Sequence, residues 1–242
     1  MAGQVVFSII TVVFNARESI LETLDSVREQ SYESFEYIVI DGSSTDGTLA
    51  ILKDNGDIFD TFISEPDQGI YDAMNKGLAI AQGQWVNFMN AGDTFYDDSV
   101  LENVSQLLSG DVVYGAHAVK GGSNKIVHPK KNNYFWDERN IPYCHQSAFI
   151  RREVLEKNKF DCSYRLAADY DQYLRIKMSG AVIKPIPLVV SSYLPGGVSQ
   201  SNDVAIAQEY FSIMRRYWPV AATIAYLYRI FKSNFVGKVS SK

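Results

Sequence analysis

Four times within the first 95 residues, an apolar run fit for a buried strand stops abruptly at a polar turn. Three of those four stops carry an aspartate. Residues 7–14 are rich in β-branched side chains and end at Asn15, a residue type suited to cap a helix. Ile20, Leu21, Leu24 and Val27 then recur at helical spacing and form one apolar face. Residues 35–40 make a second strand that breaks at Asp41 and a turn-rich stretch through Gly47, feeding a helix over 48–53. A third, shorter strand over 61–63 precedes a loop containing Asp67, and Met74, Leu78 and Ala81 mark the inner face of the helix after it. The fourth strand, 85–89, ends at Asn90-Ala91-Gly92-Asp93. A helix over 100–108 and a strand over 111–115 continue the alternation. Repeated strand–helix–strand units of this length predict a mostly parallel sheet covered by helices on both faces.

The regularity then lapses. Residues 116–130 read as a hairpin turning at 120–124, followed by an aromatic loop (Tyr134, Phe135, Trp136) and a helix opening near Asp169. Residues 181–190 read as a strand whose two prolines suit a sheet edge. Residues 203–235 predict one or two helices interrupted at Pro219. The expected division is a catalytic domain over 1–202, with halves 1–115 and 116–202, and a helical extension over 203–242.

Charge is distributed unevenly. The 23 basic and 28 acidic residues give a net charge of −5, yet residues 213–242 hold basic residues and no acidic ones. An acidic body argues against nucleic acid as a partner. The basic, aromatic segment 213–235 suits either a peripheral contact with an anionic membrane surface or packing on the domain with snorkelling side chains. Cys144 and Cys162 form no CxxC pair, so neither a disulfide framework nor a zinc site is expected, and a reducing cytoplasm is the default. The apolar start reads as a strand, not a leader, and no run is long and apolar enough to span a bilayer.

In open parallel sheets, ligands collect beyond the carboxyl ends of the strands. Thr11, Asn15, Asp41, Asp67 and Asp93 fall there. Any one aspartate is explained by turn formation; four polar strand ends in series favour a site. A rim of carboxylates suits a phosphate that arrives with a divalent cation, since Mg²⁺ and Mn²⁺ take hard oxygen ligands. The chain has no GxxxxGK[ST], GxGxxG or GxSxG, which removes P-loop, dinucleotide and serine-hydrolase readings.

Four segments now combine: SIITVVFN at 8–15, YIVIDGSSTDGT at 37–48, EPDQGIYDAMNKG at 65–77 and FMNAGD at 88–93. In order and spacing they resemble glycosyltransferase family 2, whose fold is the three-layer α/β/α arrangement called GT-A. The third segment resembles enzymes of bacterial exopolysaccharide, capsule and O-antigen assembly. The resemblance implies that Thr11, Val13 and Asn15 line the base and ribose of a nucleotide-sugar donor and that Asp41 bonds the base. It places Asp67 and Lys76 in the donor pocket, with Asn90 and Gly92 beside them, and gives Asp93 to Mn²⁺ or Mg²⁺. The chain departs from the family here: Asn90-Ala91-Gly92-Asp93 stands where Asp-Ala-Asp-Asp is common, so two carboxylates are missing.

In the second half, the resemblance puts Asp169 at the position of the base that deprotonates the acceptor, and the helix start is expected to hold it ionised. Asp171 is expected to face solvent or to pair with Arg175. His145 and Gln146 resemble an element on the acceptor or phosphate side, although a satisfied core histidine fits as well; Trp136 suits sugar stacking or packing. Residues 196–199 resemble a flexible element near the donor. The expected activity is inverting transfer from a UDP-hexose or UDP-N-acetylhexosamine to a growing, polyprenyl-diphosphate-linked glycan, in the cytoplasm or on the inner face of its membrane. Two rivals stand beside it. A silent sugar-nucleotide or carbohydrate-binding module would explain the depleted metal motif. A sugar-phosphate nucleotidyltransferase would need a glycine-rich basic loop where this chain has Asn15-Ala16-Arg17-Glu18.

Overall fold

The computed structural model describes residues 5–121, 125–129, 141–193, 203–220, 222–223 and 226. The first half builds the parallel layer: β1 (Phe7–Val13), β2 (Phe35–Asp41), β3 (Thr61–Ser64) and β4 (Trp85–Phe88). Between them run α1 (Ile20–Arg28), α2 (Thr48–Asp54) and α3 (Ile70–Ile80). β5 (Thr94–Phe95), α4 (Val100–Ser105), β6 (Val112–Val119), β7 (Lys125–Val127), β8 (Ala148–Arg151) and α5 (Arg152–Lys157) follow. The chain continues through α6 (Ala168–Met178), β9 (Ile183–Tyr193) and α7 (Asp203–Tyr217). Among the described residues the strands form one sheet in the order β3-β2-β1-β4-β8-β6-β9-β5, with β7 on β6. β1, β2, β3 and β4 are mutually parallel; β8 enters antiparallel between β4 and β6.

Alternation along β1 sorts the core into two layers. Ile10 and Val12 face α3 through Met74 and Leu78, in a cluster that also takes in Leu155, Tyr170, Leu174 and Ile213. Phe7, Ile9 and Val13 face the other way, against Ile20, Leu24 and Val27 of α1 and Leu101 and Val104 of α4. The central strands are therefore buried on both faces, which is why their sequences read as unbroken apolar runs. Gly77 lets α3 lie close on the sheet: a Cβ there would come within 2.5 Å of Ile10 Cγ2.

Some local expectations change. Asn15 does not cap a helix; it adopts φ 48° in a turn, and α1 begins only at Ile20. β9 is not an edge strand along its whole length. It pairs parallel with β6, and its Ser191 and Ser192 pair with β5. Pro185 and Pro187 precede that second contact, so they remove no donor that β5 needs. α7 is packed on the body, with Ile213 fully buried and Met214 and Tyr217 partly so. Among the described residues, no helix is long and apolar enough to cross a membrane.

Candidate active site

The parallel register brings the first three strand ends together. Val13 stands opposite Asp41, and Asp41 opposite Ser64. The Asp41 side chain is fully buried; its carboxylate accepts the Ser64 hydroxyl at 2.6 Å and the Ser44 N–H at 3.2 and 3.3 Å. Asp67 closes in from the next loop. A Cβ on Gly42 would lie 2.3 Å from Asp67 Oδ2, so glycine leaves room for that carboxylate in its present position. Asp67 Oδ1 accepts the Gly69 N–H at the head of α3 (2.8 Å). Lys76 staples the same loop, reaching Glu65 at 2.8 Å, Asp72 at 3.7 Å and the Pro66 carbonyl at 2.7 Å. Its pKa is raised, first by the Glu65 bond.

Thr11 and Val13 lie beneath this rim, 0% and 4% exposed. The Thr11 hydroxyl donates to the Met89 carbonyl at 2.7 Å and bonds the Tyr37 hydroxyl at 2.8 Å, tying β1, β2 and the end of β4 into one floor. Asn15 accepts the Thr45 N–H at 2.9 Å, while its own N–H goes to Ser44 Oγ at 2.8 Å. Asn15, Arg17, Ser19 and Asp46 border an open depression beside that turn.

The fourth strand end is pinned from α1. Thr23 Oγ1 accepts the Gly92 N–H at 2.9 Å and donates to the Asp93 carbonyl at 2.8 Å. Gly92 has φ +97°, a conformation that favours glycine, so a carboxylate-bearing residue at this position would be strained. Burial pushes the Asp93 carboxyl up to about 7, with Lys120 opposing the shift. Lys120 itself bonds Glu22 at 2.7 Å and the Gly92 carbonyl at 3.4 Å. The neighbouring Asn90 gives its amide N–H to His145 Nε2 at 2.9 Å, and its buried Oδ1 has no hydrogen-bond partner among the described residues. No group of three or more His, Cys, Asp or Glu side chains fit to hold a metal occurs among the described residues.

His145 connects this corner to Asp169. Desolvation lowers its pKa to about 4, so the ring is neutral and Nε2 can accept from Asn90. The same ring borders a small internal cavity with Asp169, Tyr143, Phe88, Phe160 and Gln172, with room for about one water. Asp169 lies in the first turn of α6, where Oδ1 accepts the Tyr170 N–H at 2.8 Å and the Tyr71 hydroxyl at 3.3 Å. The helix start does not set the balance at Asp169: burial outweighs both bonds and raises its pKa. A carboxyl kept basic in this way is better suited to accept a proton. Asp171 does not face solvent. It is 1% exposed and held by Arg175 at 2.8 Å and Arg216 at 3.5 Å.

Gln146 is buried and its side-chain Oε1 is unpartnered among the described residues. Trp136 and residues 196–199 lie outside the described residues. Sequence reasoning misses Tyr71, Lys120 and Glu209. Tyr71 sits inside the 65–77 segment, where its aromatic ring among polar neighbours is the one local signal; the other two carry none.

The family model described as glycosyl transferase family 2 matches residues 8–159. A PGL/p-HBAD biosynthesis glycosyltransferase of Mycobacterium tuberculosis is 32% identical over 81% of this chain and 79% of its own. The amylovoran biosynthesis glycosyltransferase AmsB of Erwinia amylovora is 27% identical over 77% and 69%. Among solved structures, S. aureus TarS 1-349 in complex with UDP-GlcNAc superposes with a TM-score of 0.71 at 19% identity. The mannosyltransferase PcManGT from Pyrobaculum calidifontis, in complex with GDP-Man and Mn²⁺, gives 0.65 at 23%. Each alignment covers 87% of this chain but only 64% of the solved one, and at such identities the likeness shows a shared GT-A-type fold.

Proposed function

The chain belongs to glycosyltransferase family 2, and from that membership we propose an inverting transferase that moves a hexose or N-acetylhexosamine from a UDP-linked donor onto a growing, polyprenyl-diphosphate-linked surface glycan. One observation carries this reading: the strand-end rim and the half-buried Asp169 meet through His145, which bonds Asn90 on one side and shares a cavity with Asp169 on the other. A donor held on the rim thus presents its sugar towards a carboxyl whose basicity burial has raised. Asp41, Asp67 and Asn15 position the nucleotide on the floor that Thr11 and Val13 support, with Lys76 holding the Asp67 loop in shape. Asp169 takes the proton of the acceptor hydroxyl as that oxygen attacks the anomeric carbon from the face opposite the leaving diphosphate.

The donor set fits a divalent cation bound together with the diphosphate. Asp93 is a carboxylate destabilised by burial, and Asn90 Oδ1 nearby is an orphaned acceptor. Asp93 would hold Mn²⁺ or Mg²⁺, which would supply charge neutralisation for the departing diphosphate. Lys120 adds a positive charge to the same corner. The missing carboxylates favour one rival, a silent sugar-nucleotide-binding module.

Incubation with a panel of UDP-sugars, Mn²⁺ and varied acceptors separates the two readings. Transfer or UDP release is expected for one donor, and Asp169→Asn abolishes transfer while UDP affinity persists. Binding of UDP without release from any donor supports the silent module instead. The membrane contact proposed for 213–235 must begin beyond Ile213, which the body already buries. A chain ending at 226 should then pellet less with anionic liposomes than the full chain; equal recovery removes the contact.

A further inference from the structure

We propose that Glu209 of α7 is a positioning residue for the transfer: it fixes the chain where it enters α6, and with it the aim of Asp169. The inference rests on Asp169 acting as the base.

The first N–H groups of a helix lack partners within it and need a cap. At α6 the N-cap position is Ala167, whose side chain can accept nothing, and no side-chain cap is formed locally. Glu209 of another helix serves the first of these groups, the N–H of the N-cap residue Ala167, and the two N–H groups before it. Its Oε1 accepts the Arg165 N–H at 2.9 Å, and its Oε2 accepts the N–H groups of Leu166 and Ala167, each at 2.9 Å. Three charge-assisted bonds on one carboxylate fix the chain just before the turn that carries Asp169.

α7 also grips the residues after Asp169. Tyr210 stacks on Tyr170 with ring centroids 4.4 Å apart, and Arg216 lies 3.5 Å from the buried carboxylate of Asp171. Contacts from one helix therefore bracket Asp169 on both sides, and Ile213 anchors that helix in the core. A shift of about 1 Å in a reacting group can cost on the order of 10²-fold in rate, so such a bracket has kinetic weight.

Glu209 has a second, electrostatic effect. The groups facing Asp169 are Tyr71 from α3, Tyr143, Cys144 and His145 from the segment before β8, and Glu209 from α7. Among them Glu209 places a negative charge that disfavours a second one on Asp169. It keeps the base protonated to higher pH and more avid for a proton.

Glu209→Gln keeps one acceptor oxygen and removes the charge. In the full chain, kcat should fall about 10- to 100-fold while the donor KM and UDP affinity hold. The acid limb of kcat should move to lower pH. Glu209→Ala should lose more kcat than Glu209→Gln, and the glutamine variant's partial recovery separates capping from charge. A wild-type kcat with an unmoved limb in Glu209→Gln overturns the proposal. So does a loss of UDP binding in step with thermal stability, which marks a purely structural residue. Asp169→Asn distinguishes the two levels: if it still transfers sugar, the base assignment fails; if it is inactive while Glu209→Gln keeps a wild-type kcat and an unmoved limb, only the role of Glu209 fails.

Discussion

The Tyr71 hydroxyl donates to Asp169 Oδ1 across 3.3 Å, joining residues 98 positions apart in the chain. Tyr71 belongs to the helix that follows the Asp67 loop, so the donor side and the proposed base share a direct bond. The bond favours the ionised carboxylate and lowers the Asp169 pKa against the larger effect of burial. Tyr71→Phe should therefore raise that pKa, move the acid limb of kcat to higher pH, and reduce kcat roughly 3- to 10-fold, as for an ordinary hydrogen bond of about 1 kcal/mol. The loss should be greater at pH 6 than at pH 8.

Asp93→Asn is nearly isosteric and removes a carboxylate that burial already penalises. The variant should fold as the wild type does, yet lose the gain in UDP affinity that Mn²⁺ provides. Calorimetric titration of UDP with and without Mn²⁺ measures this without turnover. An equal Mn²⁺ effect in both proteins takes Asp93 out of the metal role.

Two glycines should respond differently to alanine. At Gly42 the new methyl would meet the end of the Asp67 side chain, 2.3 Å away, which can swing aside, and the edge of the exposed Phe14 ring at 3.3 Å. Stability should hold while UDP-sugar affinity drops about tenfold, as for the loss of one placed polar contact. At Gly77 the methyl would meet Ile10 Cγ2 at 2.5 Å within the packed core. Overpacking there should cost about 1–3 kcal/mol and lower Tm by several degrees, with UDP affinity largely kept. Thermal unfolding and UDP titration on both variants test the pair.

His145 predicts a pH signature in stability. Its ring titrates near 6.5 when unfolded and is held down to about 4 in the fold by desolvation. Between those values the unfolded chain binds a proton that the folded chain refuses, so this contribution is complete above 6.5 and is lost as pH falls towards 4. His145→Gln removes it, and the difference in unfolding free energy between variant and wild type should change across that window. Asp93 has the opposite slope, because its folded pKa is raised, but both proteins share it and it cancels. Urea unfolding at pH 4.5, 5.5 and 7 reads the effect; parallel curves refute it.

What can be read from sequence here follows from how local each signal is. β1, β2 and β4 are legible because strands buried on both faces must be continuously apolar, and their polar stops mark the rim. Asp41, Asp67 and Asp93 follow from those stops. β5 has two residues, too few for any periodicity, and its existence depends on β9 almost a hundred positions later. Glu209 reads as an ordinary residue inside a helix, since the N–H groups it serves come from a distant loop. The direction of the Asp169 shift reverses for the same reason: the effect of a helix start is local, whereas desolvation depends on distant residues such as Tyr143, His145 and Phe160, which share its cavity.

β5 begins at the residue after Asp93, and its hydrogen-bonded partners are Ser191 and Ser192 of β9. During synthesis, a ribosome must deliver almost a hundred further residues before this joint can close. Loop closure over so long a span is slow, and nascent parallel strands on the earlier side must wait for it. The corner assigned to the diphosphate thus matures only after the acceptor side has been made, and a polypeptide released early should lack a finished place to hold and waste its sugar nucleotide.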